Sequence, residues 1–329
     1  MKNNFEYNVA IIGAGASGLM LASMLSRQNI KVVVIEANNK IGAKILQTGN
    51  GKCNFTNLKI DNSCYQNKDN DKVLSIINEF NSEAVIEYFK SLGIYNKQRD
   101  GYVYPRSETA LSVVNAFRLE LEKNKVKMIL NCVAKSITKR DKFIINCIET
   151  VINNAKNSKK KIIDNKKKQG NNKNNKEELE LIKNNIEIKA DYVVVATGSC
   201  ASIDSMKAGK ELNVIKSLDI NYKEFLPALV ALKTDNPFIK LAKGVRAIGK
   251  VTILVDGKIV STDLGEIQYT DYGISGIPVF QVSRYATEAL NSNKKVVAIL
   301  DMIPEKSYED ACKIIDTLVK NGYYKSNRC

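Results

Sequence analysis

The first sixty residues carry two short, wholly apolar runs separated by a helical pattern. Val9, Ala10, Ile11 and Ile12 lack the alternation of a half-exposed strand, so they predict a strand buried on both faces. Leu19, Met20, Met24 and Leu25 then recur at helical spacing, and Val32, Val33, Val34 and Ile35 supply a second buried strand. Between the first strand and the helix stand Gly13, Gly15 and Gly18. In such a turn the first glycine permits a tight reversal, the second lets a pyrophosphate approach the backbone, and the third lets helix and strand pack closely. Phosphates would meet the free N–H groups of Gly13, Gly15, Ala16, Ser17 and Gly18, where the helix dipole favours negative charge. Glu36, followed by Ala37, comes 18 residues after Gly18, near the spacing at which a carboxylate accepts hydrogen bonds from a ribose. The pattern predicts a dinucleotide cradle.

Further along, Val73, Ile76, Ile77, Phe80, Val85, Tyr88, Phe89 and Leu92 step by three and four, predicting helix with a break near Asn81 and Ser82. Ser107 is the expected N-cap of a helix running through Val113, Val114, Phe117 and Leu121. Strands are expected at 126–130, 133–137 and 143–148. Ala190 to Val195 reads as a buried strand entering Ala196-Thr197-Gly198, a return to the nucleotide sheet. Beyond it the pattern turns antiparallel: Val251 to Val255 and Ile259 to Thr262 flank the two-residue turn Asp256-Gly257. A separate strand at Gly265 to Thr270, a helix at Pro278 to Leu290, a strand at Val296 to Leu300 and a helix at Tyr308 to Leu318 follow. The fold class expected is α/β, a Rossmann-like parallel sheet plus an antiparallel domain. The boundary is drawn at 198, giving a dinucleotide-binding domain over 1–198 and a second domain over 199–329.

Three further blocks resemble a known family. They are Gly42 through Gly49-Asn50-Gly51-Lys52-Cys53-Asn54-Phe55-Thr56-Asn57, then Gly101-Tyr102-Val103-Tyr104-Pro105-Arg106-Ser107, and Gly265-Glu266-Ile267-Gln268-Tyr269-Thr270-Asp271-Tyr272-Gly273-Ile274-Ser275-Gly276. Together with the glycine turn, these resemble the bacterial aminoacetone oxidase-like NAD(P)/FAD-dependent oxidoreductases, which include bile-acid enone reductases. The resemblance implies FAD as cofactor and NAD(P)H as a candidate electron donor. It implies cofactor contacts from Lys44, Gly51, Cys53, Asn54 and Thr56, from the backbone of Val133 to the adenine, and from Thr197 and Gly198. It also implies an inserted barrel-and-helix domain that closes over the flavin and holds a small-molecule substrate. Tyr269, Tyr272 and Ser275 are the catalytic candidates it brings toward the flavin ring. The chain departs from the family at Lys52, where arginine is usual, at Tyr104 and Tyr269, where phenylalanine is usual, and at Ile277, where proline is usual. Family members also continue past the position of Cys329 and return to the flavin domain, so the inserted domain is expected to be incomplete here.

Composition narrows the chemistry. The chain has no histidine, which removes every imidazole-based triad, metal site or pH switch. Its seven cysteines form no Cys-x-x-Cys pair, so no metal site is expected, and Cys53 reads as a packing residue rather than a nucleophile. The formal charge of +15 is concentrated: residues 153–185 hold ten lysines against four carboxylates, with ten asparagines. That composition cannot bury enough apolar surface to order itself, so 152–186 is expected to be a mobile insertion. Without interleaved aromatics it is a poor nucleic-acid binder. No apolar run approaches the ~18 residues of a membrane helix, and Met1 to Tyr7 lacks the layout of a signal peptide, so a cytoplasmic protein is expected. The reading is an FAD-dependent oxidoreductase passing a hydride between flavin and a small carbonyl, amine or enone. A non-catalytic nucleotide-binding remnant and a flavin-free NAD(P)-binding module stay open as rivals.

Overall fold

The computed structural model describes residues 5–65, 69–152, 181–199, 211–223 and 225–321. The chain forms two compact units, Met1–Asn221 and Tyr222–Cys329. The first opens with β1 (Phe5–Ile12), α1 (Ala16–Ser26) and β2 (Val32–Ile35). β1 and β2 pair in parallel with Val9 opposite Val32. Both apolar runs are buried on both faces, as their lack of alternation predicts. Val9, Ile11, Val32 and Val34 join one core with the helices, while Ala10, Ile12, Val33 and Ile35 join a second core with later strands.

Next come α2 (Ala43–Gln47), β3 (Thr56–Asn57), α3 (Asn70–Glu79) and α4 (Ser82–Ser91). The helical region breaks where expected, because the Asn81 side chain accepts from Ala84 N at 3.0 Å and starts a new helix. A hairpin of β4 (Asn96–Arg99) and β5 (Tyr102–Pro105) pairs with β3 in the order β3-β5-β4. The helix α5 (Ala110–Lys123) is capped by Thr109, whose Oγ1 accepts from Leu111 N, and not by the expected Ser107. Ser107 instead bonds the Ser112 hydroxyl at 2.7 Å. Then follow β6 (Lys127–Ile129), β7 (Cys132–Lys139), β8 (Phe143–Ile152), β9 (Leu181–Val195) and α6 (Glu211–Lys216).

The main sheet has the order β6-β2-β1-β9-β8-β7. Four strands are parallel, and β9 returns beside β1 with Ile12 opposite Val195, which confirms the reading of Ala190 to Val195. β8 and β7 add an antiparallel extension. β9 begins earlier than expected: Leu181 pairs with Ile152 and Ile186 with Cys147, so both ends of the anticipated mobile insertion are strand. The rest of that insertion lies outside the described residues. α6 packs on β7, with Val214 buried and Ser217 Oγ accepting from Ile137 N at 2.9 Å.

The second unit holds β10 (Leu232–Lys233), α7 (Pro237–Leu241), β11 (Arg246–Val255), β12 (Lys258–Tyr269), β13 (Gly273–Ser275), α8 (Ile277–Asn291), β14 (Val296–Asp301) and α9 (Tyr308–Lys320). Its sheet has the order β10-β13-β12-β11-β14, all antiparallel. The β11–β12 turn is the expected pair, Asp256 and Gly257, both with positive φ (49° and 81°) as a primed turn demands. The strand expected at Gly265 to Thr270 is not separate: β12 runs unbroken through Asp263 and Leu264, which pair with Val251 and Lys250. Val251, Ile253, Ile267, Val279, Val282 and Ala286 close this core between sheet and α8. The architecture is a Rossmann-like α/β unit and a separate antiparallel sheet unit.

Candidate functional site

The turn after β1 is held by contacts that tolerate no side chain. Gly13 has φ of +109°, and a Cβ there would lie 2.4 Å from the Ala196 carbonyl oxygen. A Cβ on Gly18 would lie 2.0 Å from the Gly13 carbonyl oxygen, so α1 can sit against its own entry turn only without one. Gly15 is different. It is the N-cap of α1 in extended backbone, and a Cβ there would meet nothing within 4 Å. Among the described residues nothing fills the space above Gly15. No side chain caps the helix among the described residues, so the N–H groups of Ala16, Ser17 and Gly18 begin α1 without one. Open space over Gly15 beside an uncapped helix N-terminus fits a pyrophosphate.

Glu36 directly follows β2, 8% exposed, beside this turn. Its Oε2 accepts from Ala14 N at 2.6 Å, and its Oε1 accepts from Asn38 N at 2.8 Å and Asn38 Nδ2 at 2.7 Å. These bonds fix the carboxylate at the cradle's edge; Oε1 is filled by its two bonds from Asn38, and Oε2 keeps a lone pair for a ribose hydroxyl. Ala14 and Asn38 belong to the site although nothing in the sequence pattern marks them. Ala37 is exposed beside them.

The backbone gathers further expected residues. Gly42 N donates to Ala14 O at 2.8 Å, which seats α2 on the glycine turn. Lys44 then reaches the end of β9, its Nζ donating to Ser199 O at 3.3 Å beside Thr197 and Gly198. Ala196 N donates to Ile12 O, so the β9 terminus lies against the cradle. The loop through Gly51, Cys53 and Asn54 is strongly bent, with positive φ at Asn50, Gly51 and Cys53. Asn54 Nδ2 donates to the carbonyls of Thr56 and Val103 at 2.9 and 3.0 Å, stapling the loop to β5. Thr56 Oγ1 donates to Ser82 Oγ at 3.2 Å. Cys53 is buried, and burial pushes its thiol pKa up, only partly opposed by a hydrogen bond from Thr48. A protonated, buried thiol behaves as packing. Val133 lies on β7, the outermost strand of the sheet, and the neighbouring Cys132 N donates to Glu36 O at 2.9 Å.

Tyr269, Tyr272 and Ser275 lie in the second unit. Tyr269 ends β12 and pairs with Ile274, and burial raises its phenol pKa. Tyr272 is 44% exposed in the turn before β13, and Ser275 ends that strand, opposite Gln268. Gly273 and Gly276 shape this corner, since a Cβ would lie 2.0 Å from Leu232 O and 2.2 Å from Glu266 O respectively. Among the described residues no helix is long and apolar enough to cross a membrane.

Comparison with known proteins agrees with this division. The profile of the HI0933-like protein Rossmann domain matches residues 7–153, and that of the HI0933-like barrel and H2TH domain matches residues 226–326. The chain is 33% identical over 313 residues to a 3-dehydro-bile acid delta(4,6)-reductase of Clostridium scindens, covering 94% of this chain and 68% of that protein. It is 23% identical to a ribosomal RNA dihydrouridine synthase of Haemophilus influenzae, covering 91% of this chain and 65% of the relative. It therefore spans about two thirds of the length of these curated relatives. Among solved structures, THI4 of Thermovibrio ammonificans aligns at 16% identity and a TM-score of 0.33, covering 69% of this chain and 67% of that one. With a Rossmann cradle in one unit, an antiparallel unit after it and both family profiles matched in order, the chain belongs to the HI0933-like family of FAD-dependent oxidoreductases.

Proposed function

We propose that this protein binds FAD on its first unit and uses it to add a hydride and a proton across a carbon–carbon double bond conjugated to a carbonyl, with NAD(P)H as electron donor. The observation that carries the reading is the open position over Gly15, flanked by the uncapped start of α1 and by the buried Glu36 carboxylate. The N–H groups of Ala16, Ser17 and Gly18 would donate to the pyrophosphate, and Glu36 would accept from the ribose. Lys44, Gly51, Cys53, Asn54, Thr56, Thr197 and Gly198 would orient the rest of the cofactor, and the Val133 backbone would hold the adenine. Bound FAD supplies a two-electron carrier between donor and substrate.

The substrate class is supported by the chemistry shared by two relatives' names. A 3-dehydro delta(4,6) bile acid and a uridine each present a double bond in conjugation with a carbonyl. Such a substrate needs a proton as well as a hydride. Tyr269 is our candidate to give it: burial keeps the phenol neutral, so a proton is held at its Oη. Tyr272 and Ser275 are further hydroxyl candidates on that corner.

The test is direct. Protein purified with excess FAD should show the visible absorbance of bound flavin, and anaerobic NADPH or NADH should bleach it. Adding a 3-oxo-4,6-diene steroid should restore the flavin colour as the dienone absorbance disappears. A colourless protein after FAD supplementation would sink the cofactor assignment. A reduced flavin that a dienone cannot reoxidise, but uridine-containing RNA can, would move the substrate to the nucleic-acid side.

A further inference from the structure

The β4–β5 hairpin has one buried and one chemically rich face. Antiparallel register sets Lys97 opposite Tyr104 and Arg99 opposite Tyr102, so these four side chains project on the same side of the hairpin. Val103, between the two tyrosines, points the other way and is fully buried. Lys52 and Glu108 close the cation–tyrosine face into a cavity of about 280 Å³ that also includes Asp100. Lys52 directly precedes Cys53 and Asn54, and Asn54 is bonded to Val103 O, so the cavity is continuous with the loop already described.

The charges are unevenly paired. Glu108 already sits as a carboxylate among the cations, 2.5 Å from Lys97 Nζ and 3.8 Å from Lys52 Nζ. Those neighbours hold its carboxyl below the ordinary range, led by the Lys97 hydrogen bond, so it stays ionised. Among the described residues the ion pair of Arg99 is with Asp100 at 3.7 Å, both side chains about four-fifths exposed, a contact that water largely screens, and its charge also reaches Glu108. The planar guanidinium of Arg99 is thus available for a second carboxylate or a phosphate, which it binds through two parallel hydrogen bonds. Tyr102 and Tyr104 add aromatic rings to the same face, and their hydroxyls can donate.

We propose that this face is a binding subsite for an oxyanion carried on a planar ring system, a carboxylate- or phosphate-bearing small molecule, with Arg99 as its anchor and Lys97 and Lys52 in support. A depression of about 280 Å³ suits a compact ligand more than a strand of nucleic acid. The subsite does not depend on the flavin assignment, because all its residues lie on or beside the three-stranded sheet.

Isothermal titration of the full chain tests this with four probes: naphthoate, naphthyl phosphate, neutral naphthamide and an oligouridylate. Naphthoate or naphthyl phosphate should bind better than naphthamide, and whichever of the two binds tighter names the anion. Arg99→Gln should weaken that binding about tenfold, the loss of a charge-assisted bond, while Arg99→Lys should give an intermediate value. Glu108→Gln should strengthen it severalfold by removing the internal competitor, an effect opposite in sign to any general damage. Melting temperature and flavin content should stay unchanged, since Arg99 is exposed. Naphthoate and naphthyl phosphate both binding no tighter than naphthamide, or an Arg99→Gln variant with unaltered affinity, would overturn the proposal. So would binding confined to the oligouridylate, which would make the face a nucleic-acid surface.

Discussion

A methyl group at Gly13 or Gly18 collides with a carbonyl oxygen, whereas one at Gly15 has open space around it. The three positions should therefore separate folding from binding. Gly13→Ala and Gly18→Ala force the backbone apart, and Gly13 also needs its positive φ, so each should destabilise by about 2–4 kcal/mol in urea unfolding. Gly15→Val needs no unusual φ and should change stability by less than about 1 kcal/mol, the scale of a poorer N-cap. Its branched side chain would occupy the proposed pyrophosphate position, so flavin content should collapse while the fold persists. Retention of flavin by Gly15→Val, measured by absorbance of the purified protein, would remove the cradle assignment. This division of labour was partly legible in the sequence: three glycines, two apolar runs and an acid at the right spacing gave the cradle. The Ala14–Glu36–Asn38 network was not, because it exists only once β1 and β2 lie side by side, and neither alanine nor asparagine carries a distinctive pattern.

Elements with long periodic stretches were equally readable, and those set by tertiary contacts were not. The break between α3 and α4, the Asp256-Gly257 hairpin and the return of β9 all follow from local signals. β4 is Asn-Lys-Gln-Arg, with no strand signature, and forms because Val103 on its partner β5 is drawn into the core. The polar start of β9 is likewise made strand by pairing with β8, whose apolar residues continue to Ile152. Since Ile152 stands opposite Leu181, replacing residues 153–180 with an Asn-Gly turn should close this hairpin in its existing register. The shorter connection lowers the loop-closure cost, so stability should hold or rise by about 1 kcal/mol, with unchanged flavin content. A clear loss of stability on calorimetry would show that the replaced segment packs on the unit. Helix α5 is tied to α1 by Arg27 Nε donating to Glu120 Oε1 at 2.6 Å, with the Glu120 side chain only 12% exposed. Burial works against the charged Glu120, but the Arg27 hydrogen bond and charge outweigh it and lower its pKa. A carboxylate whose folded pKa is lowered stabilises above its unfolded pKa and loses that contribution as pH falls through the folded value. Glu120→Gln should accordingly cost about 1 kcal/mol at neutral pH, a partly exposed ion pair, and the gap to the parent should close as pH drops below the ordinary glutamate range. A gap that stayed constant to low pH would mean that packing, not charge, joins the two helices.

At the scale of the whole molecule, two units with separate cores imply two contributions to unfolding. Two cores cover the two faces of the six-stranded sheet in the first unit, and a third lies between α8 and the five-stranded sheet in the second. Such a chain departs from two-state behaviour, so calorimetry should resolve two transitions. The proposed cofactor residues of the cradle, from Gly13 to Gly198, all fall in Met1–Asn221. A ligand that binds only a folded unit stabilises it by RT ln(1 + [L]/Kd), about 2.7 kcal/mol at a hundredfold excess over Kd. For a unit of this size that corresponds to a shift of roughly 5–10 °C. Excess FAD should therefore raise one transition by that amount and leave the other in place, and the Gly15→Val variant should show no shift in either.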